Sequence, residues 1–231
     1  MTVATANALF DLDGTLTDPG DGFVNCVSHA LTKLDCLAHT PAEIRRHVGP
    51  PLEETLGKLL GGDVTRVSAA VALYRERYGS VGYLENTVYP DVRETLEELK
   101  RGGTLLFVAT SKPTVFAKRI LDHFGLARFF EGIYGSELDG TNANKTHLIA
   151  HVLKAESLPE ASTVMIGDRA HDIVAALANG VSAIGVLWGY GSREELAHAG
   201  APAFCERPSE LARLLSSNRL MQPTGPRAAG G

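Results

Sequence analysis

Asp11 and Asp13 stand one residue apart at the end of a short apolar run and are followed at once by Gly14 and Thr15. Alternate residues of a strand point to one face. If residues 7–10 form a strand and Asp11 begins its exit, both carboxylates aim at one small volume beyond the strand's carboxyl end. That edge is where open α/β sheets bind ligands. Two carboxylates crowded there repel each other and lose water on burial, so their charge needs compensation. A hard divalent cation supplies it, and Mg²⁺ characteristically sits on one or two carboxylates together with a substrate phosphate. An aspartate can also attack phosphorus to give an aspartyl-phosphate, which makes Asp11 a candidate nucleophile and Asp13 a candidate general acid/base. Gly14 lets the backbone turn tightly beneath them. A bare Asp-x-Asp-Gly is equally an ordinary turn, since both residue types favour turns.

Three later groups bear on that choice. The β-rich run 104–109 leads into Thr110, Ser111, Lys112 and Pro113. Hydroxyls at a strand's end, just before a helix start, form a phosphate cradle that helix N-terminal N–H groups reinforce; alone they are also an ordinary helix cap. Lys145 opens a helix after the loop 140–144, where a lysine works against the helix dipole and points to an anion nearby. In isolation it reads as a solvated surface lysine. The apolar run 163–166 ends in Gly167 and Asp168, with Asp172 one helical turn further on the same face. Acids at that spacing repel without a cation or donor partner. They could simply complement a helix dipole, but beside Asp11 and Asp13 a shared metal is the better explanation. His171 reads as a local hydrogen-bonding residue, because histidine needs a placed partner to act in catalysis.

The elements that must position these residues follow from the pattern. Phe23, Val27, Ala30, Leu31 and Leu34 recur at three- and four-residue steps, an amphipathic helix. Thr40, Pro41 and Glu43 start a short second helix with an N-cap, a Pro at its first position and a capping-box Glu. Residues 52–60 and 64–78 read as two more helices, and no strand is evident between residues 18 and 83. From Tyr89 strands at 104–109, 129–134, 163–166 and 182–186 alternate with helices at 91–100, 114–124, 145–155, 170–178 and 193–198. Such alternation predicts an α/β fold, a doubly wound parallel sheet, with a helical insertion directly after the first strand. The expected division is a core of residues 1–17 and 84–215, a helical cap of residues 18–83, and a disordered polar tail of residues 216–231.

Composition excludes several classes. The 231 residues carry a net charge of −5 and 44% hydrophobic residues, an ordinary globular balance without the basic patch of a nucleic-acid binder. No apolar run is long enough to span a membrane, and the N-terminus has neither the charged region nor the apolar region of a secretory signal. Cys26, Cys36 and Cys205 lack metal-type spacing and read as reduced thiols. A cytoplasmic location is expected.

Taken together, Asp11-x-Asp13-Gly14-Thr15, Thr110, Lys145 and Gly167-Asp168-x-x-x-Asp172 resemble, in order and placement, the motifs of the haloacid dehalogenase-like hydrolase superfamily over residues 7 to about 215. The segment 18–83 resembles its small helical cap. Within the superfamily the chain is similar to the phosphoglycolate phosphatase-like branch. Gly49-Pro50-Pro51-Leu52, Thr110-Ser111-Lys112-Pro113 and Gly167–Asp172 lean towards 5′-nucleotidase-like members. The resemblance implies that Asp11 attacks phosphorus and that Asp13 protonates the leaving alcohol and then activates water. Thr110, Ser111 and Lys145 would hold the phosphoryl oxygens. Mg²⁺ would be bound by Asp11, the Asp13 main-chain carbonyl, Asp168 and Asp172.

The function so implied is an Mg²⁺-dependent phosphatase acting on a small phosphorylated metabolite, either 2-phosphoglycolate-like or a nucleoside 5′-monophosphate. A sugar phosphomutase would use the same four motifs. A catalytically silent phospholigand-binding module predicts loss of at least one of Asp11, Asp13, Lys145 or Asp168, and all are present. Neither a nucleic-acid polymer nor a membrane is expected as a partner, and no oligomeric state is specified. Arg45, Arg46 and Gly49 are the candidates for touching the substrate from the cap, a cap arginine being suited to a second anionic group. Trp188 and Tyr190 could stack on a base or simply pack.

Overall fold

The computed structural model describes residues 7–36, 39–48 and 52–216. The chain begins with strand β1 (Asn7–Phe10) and the two-residue β2 (Thr17–Asp18), then enters α1 (Gly20–Lys33), α2 (Pro41–Arg45), α3 (Leu52–Leu59) and α4 (Val64–Ser80). It returns through β3 (Thr87–Val88) to α5 (Val92–Arg101), β4 (Leu105–Pro113), α6 (Thr114–His123) and β5 (Gly132–Ser136). Then follow α7 (Lys145–Ala155), β6 (Thr163–Gly167), α8 (Ala170–Ala178), β7 (Ser182–Val186), α9 (Arg193–His198), β8 (Ala203–Cys205) and α10 (Leu211–Ser216).

Six strands form one parallel sheet in the order β5-β4-β1-β6-β7-β8. The chain leaves β1 towards β4 on one side and comes back to β6 on the other, so the strand order reverses at β1. A crevice opens at such a switch point, beyond the strand ends. The register fixes what gathers there: Phe10 lies opposite Val108 on one side and Ile166 on the other, so Asp11 exits level with the ends of both neighbours.

Alternation along β1 divides the core. Ala8 and Phe10 join the cluster of Leu96, Leu99, Ile120 and Leu121 under α5 and α6. Leu9 joins Phe107, Met165, Ile149, Val152 and Ile173 under α7 and α8. Both faces of the sheet are therefore buried, as parallel sheets require. The helical segment has a core of its own, in which Phe23, Val27 and Leu31 of α1 meet Ile44, Leu56, Ala70 and Val71. Thr40 caps α2 with the full capping box, and Asp63 caps α4 by accepting from Thr65 and Arg66 N–H.

Several local features differ from the sequence pattern, among them an unexpected sixth sheet strand, β8. The strand expected at 129–134 lies later, at Gly132–Ser136, because Phe129 and Phe130 turn into the core, where Phe130 meets Phe10 edge-on at 6.1 Å. β4 runs on to Pro113 through a register shift against β5. The entry and exit of the helical segment pair as antiparallel β2 and β3, which are too short to leave a periodic signal. Among the described residues no helix is long and apolar enough to cross a membrane. Of the expected tail, residues 217–231 lie outside the described residues, as do Gly49, Pro50 and Pro51.

Candidate active site

Asp11 leaves β1 with its N–H donating to the Ile166 carbonyl at 2.9 Å, which ties the first acid to the end of β6. The chain then doubles back: Gly14 N–H donates to the Thr17 carbonyl at 2.8 Å, and Gly14 sits at φ +86°. A side chain there would be strained and would also collide with the Asp168 carboxylate. Trp188 braces this turn, its Nε1–H donating to the Thr15 carbonyl at 3.0 Å.

Lys145 follows the N-cap Asn144, whose side chain accepts from Thr146 and His147 N–H. The lysine is only 5% exposed, and its Nζ lies 2.7 Å from Asp11 Oδ1 and 2.8 Å from Asp172 Oδ1. Both are close ion pairs, and the first is also a formed hydrogen bond. The anion that Lys145's position demanded is therefore a pair of carboxylates. Burial alone would lower the Lys145 pKa, but Asp11 and Asp172 outweigh it and hold it above the usual lysine range.

Asp168 and Asp172 are fully buried. Asp168 Oδ2 accepts from Tyr190 N–H at 2.8 Å, and Asp172 Oδ2 accepts from Arg169 N–H at 3.1 Å. Burial, reinforced by the charges of Asp172 and Asp11, pushes the Asp168 pKa up to about 8. Burial likewise raises Asp11 despite Lys145, while for Asp172 burial is outweighed by Lys145 and its pKa falls below the usual value. Gly167 is required beside them, because a Cβ would collide with the Asp172 carboxylate.

Oxygens of Asp11, Asp168 and Asp172 all lie within 4.8 Å of one another. Three buried carboxylates gather where only Asp11 and Asp172 meet the Lys145 ammonium, an excess of negative charge with an all-oxygen donor set that fits a hard divalent cation. The Asp13 carboxylate is not part of this group, so Asp13 could contribute to such a site through its main-chain carbonyl alone.

Asp13 instead meets a residue that the sequence pattern passed over. The Lys112 ammonium pairs with Asp13 Oδ2, and the side chain is 10% exposed. Burial opposes the charge of Lys112, but Asp13 and Tyr78 hold its pKa above the usual range. The signal was present: Thr110 and Lys112 are alternate residues at a strand end, as Asp11 and Asp13 are. Thr110 is buried, and its Oγ1 accepts from Lys112 N–H at 3.3 Å.

These groups floor a cleft of about 740 Å³ between the sheet edge and the helical segment. Asp11, Asp13, Thr110, Ser111, Lys145 and Asp168 line it, and Phe23, Tyr74, Tyr78 and Phe116 form an aromatic wall. Among the described residues that line the cleft, Arg45 and Arg46 do not appear. Arg45 turns to Asp21 at 2.7 Å, near Asp18. Among the described residues the lining arginines are Arg75, on Glu53 at 3.0 Å, and Arg169, on Glu195 at 2.8 Å. Trp188 packs against the core below the sheet edge, and Tyr190 donates its hydroxyl to Asp18. His171 is half-exposed, 3.7 Å from Asp172.

The fold and this arrangement define a hydrolase class. Residues 8–186 match the haloacid dehalogenase-like hydrolase family, and the chain belongs to that family. It is similar to a 5′-nucleotidase of Pseudomonas aeruginosa, 44% identical over 212 residues that cover 92% of this chain and 96% of that one. It is also similar to the tyrosine-protein kinase PtkA of Mycobacterium tuberculosis, 40% identical over 79% of this chain and 62% of that one. A solved haloacid dehalogenase-like hydrolase family protein from Streptococcus pneumoniae superposes with a TM-score of 0.85, at 29% identity over 93% of this chain and 99% of that one.

Proposed function

We propose that the chain is a divalent-metal-dependent phosphatase of nucleoside 5′-monophosphates that works through an aspartyl-phosphate. The observation that carries this reading is the gathering of Asp11, Lys145 and Asp168 at the floor of the cleft, with Asp172 buried against them and Asp13 beside them. An Asp11 oxygen bonds to phosphorus as the phosphorus–oxygen bond to the leaving group breaks, and Asp13 gives that oxygen its proton. Water then loses a proton to Asp13 and bonds to phosphorus as the Asp11–phosphorus bond breaks, which restores both aspartates and releases phosphate. Thr110, Ser111 and Lys145 hold the phosphoryl oxygens. Mg²⁺, held by Asp11, Asp168, Asp172 and the Asp13 carbonyl, would neutralise charge on the phosphoryl group. Positioning and charge neutralisation are most of what phosphoryl transfer needs.

The cleft supports the choice of substrate. Its aromatic wall suits a base, whereas the carboxylate of 2-phosphoglycolate would want a guanidinium, and among the described residues both lining arginines are engaged by glutamates. The helical segment carrying Phe23, Tyr74 and Tyr78 acts in this reading as a cap. Phosphate release is measured with Mg²⁺ for nucleoside 5′-monophosphates, 2-phosphoglycolate, sugar phosphates and p-nitrophenyl phosphate, with Asp11→Asn as blank. Preference for the nucleotides, abolished by Asp11→Asn, is expected. Preference for 2-phosphoglycolate overturns the substrate choice, and silence throughout overturns the phosphatase reading.

A further inference from the structure

Asp13 has two carboxylate oxygens in unlike surroundings. Oδ2 is taken by the Lys112 ammonium, while Oδ1 is buried and has no hydrogen-bond partner among the described residues. Lys112 reaches Asp13 from the end of β4, where the register against β5 shifts between Ala109 and Pro113. Such irregularities re-aim side chains, and here the backbone is further pinned by the Lys112 N–H donating to Thr110 Oγ1. On its other side the ammonium lies over the Tyr78 ring, 5.0 Å from its centroid. Tyr78 comes from α4 in the helical segment, and it is itself held between Tyr74, stacked at 5.5 Å, and Phe116 of α6, edge-on at 5.2 Å. Lys112 is thus enclosed by an acid from the turn that follows β1 and an aromatic face from the helical segment.

We infer that Lys112 is a positioning residue for Asp13 and that Tyr78 holds Lys112 in that position, so that Asp13 is set for proton transfer only beneath the docked helical segment. The inference rests on the reading of Asp13 as the proton-transfer residue of a phosphatase. With Oδ2 fixed on Lys112, Asp13 cannot rotate freely, and Oδ1 is the oxygen left to exchange a proton with the leaving group and then with water. A buried carboxylate oxygen without a donor is costly, and those two groups are what would satisfy it during turnover. Lys112 itself exchanges no proton and forms no bond to phosphorus. The neighbouring face of Tyr78 attracts the ammonium as aromatic faces attract cations, and its hydroxyl adds to the hold on Lys112.

The test separates this role from phosphate binding and from scaffolding. For Lys112→Met, kcat on a nucleoside 5′-monophosphate is expected to fall by about ten- to a hundred-fold, the lower range of what a placed acid–base group contributes, with KM nearly unchanged. On p-nitrophenyl phosphate the leaving group departs without a proton, but water must still give one to Asp13. The same variant should therefore show a rapid burst of p-nitrophenolate stoichiometric with enzyme, followed by slow turnover. Tyr78→Phe keeps the ring and should lose less than Tyr78→Leu, which should show the burst in weaker form. A Lys112→Met variant with wild-type kinetics, or one in which only KM rises and no burst appears, overturns the inference. If Tyr78→Leu alone matches wild type, the role of the helical segment is overturned. Wild-type protein inert on both substrates overturns the phosphatase reading, and this inference with it.

Discussion

Lys145 separates two buried carboxylates, and its removal should be felt in both chemistry and stability. Lys145→Met leaves Asp11 and Asp172 facing each other without the ammonium that lies 2.7 and 2.8 Å from them. Breaking a buried pair by removing one partner typically costs about 3–5 kcal/mol, a large part of an ordinary domain's stability of roughly 5–15 kcal/mol. The expected result is loss of turnover together with a clear drop in the urea midpoint. Adding Asp11→Asn to Lys145→Met should restore part of the midpoint and none of the activity, since one of the two repelling charges is gone. A midpoint that the second substitution leaves unmoved would mean that repulsion is not the source of the loss.

The helix start that delivers Lys145 is the element on which this geometry depends. Asn144 accepts from Thr146 N–H at 2.9 Å and His147 N–H at 3.2 Å, and losing such a cap costs about 1 kcal/mol. Asn144→Ala should therefore destabilise by about that much and also reduce turnover, because the first helical turn carrying Lys145 loosens. Asn144→Asp, which keeps the cap, should retain stability, and equal kinetics in both variants would dissociate the cap from the site. This start could be read in the sequence as a misplaced lysine, and the runs ending in Asp11 and Asp168 could be read from their apolar residues and terminal acids. The partner of Lys112 could not, because it stands 99 positions away, and only the sheet order brings β4 beside β1. The partner of Arg45 was hidden for a similar reason. A surface guanidinium takes the nearest acid, and Asp21 on the neighbouring helix α1 is invisible as a neighbour until α1 and α2 pack.

At the scale of the whole molecule, the reversal of strand order at β1 gathers acids from distant parts of the chain into one buried group, and the resulting charge makes stability depend on pH and metal together. The Asp168 carboxyl titrates near 3.8 in an ordinary setting and is pushed up to about 8 in the fold. Between those values the folded protein holds a proton that the unfolded chain has released, so stability falls as pH rises through that window. Asp11, also held above its ordinary value, acts with the same sign; Asp172 lies below its ordinary value, so its contribution is lost only at lower pH. A cation on these oxygens needs them ionised, and it stabilises only the folded state. The melting temperature of EDTA-treated protein should therefore decline steadily across the window. With saturating Mg²⁺ the decline should be smaller, and the gap between the two curves should widen with pH. Parallel curves would place the cation elsewhere than on Asp11, Asp168 and Asp172, because a site that bound it without displacing their protons would add the same stability at every pH.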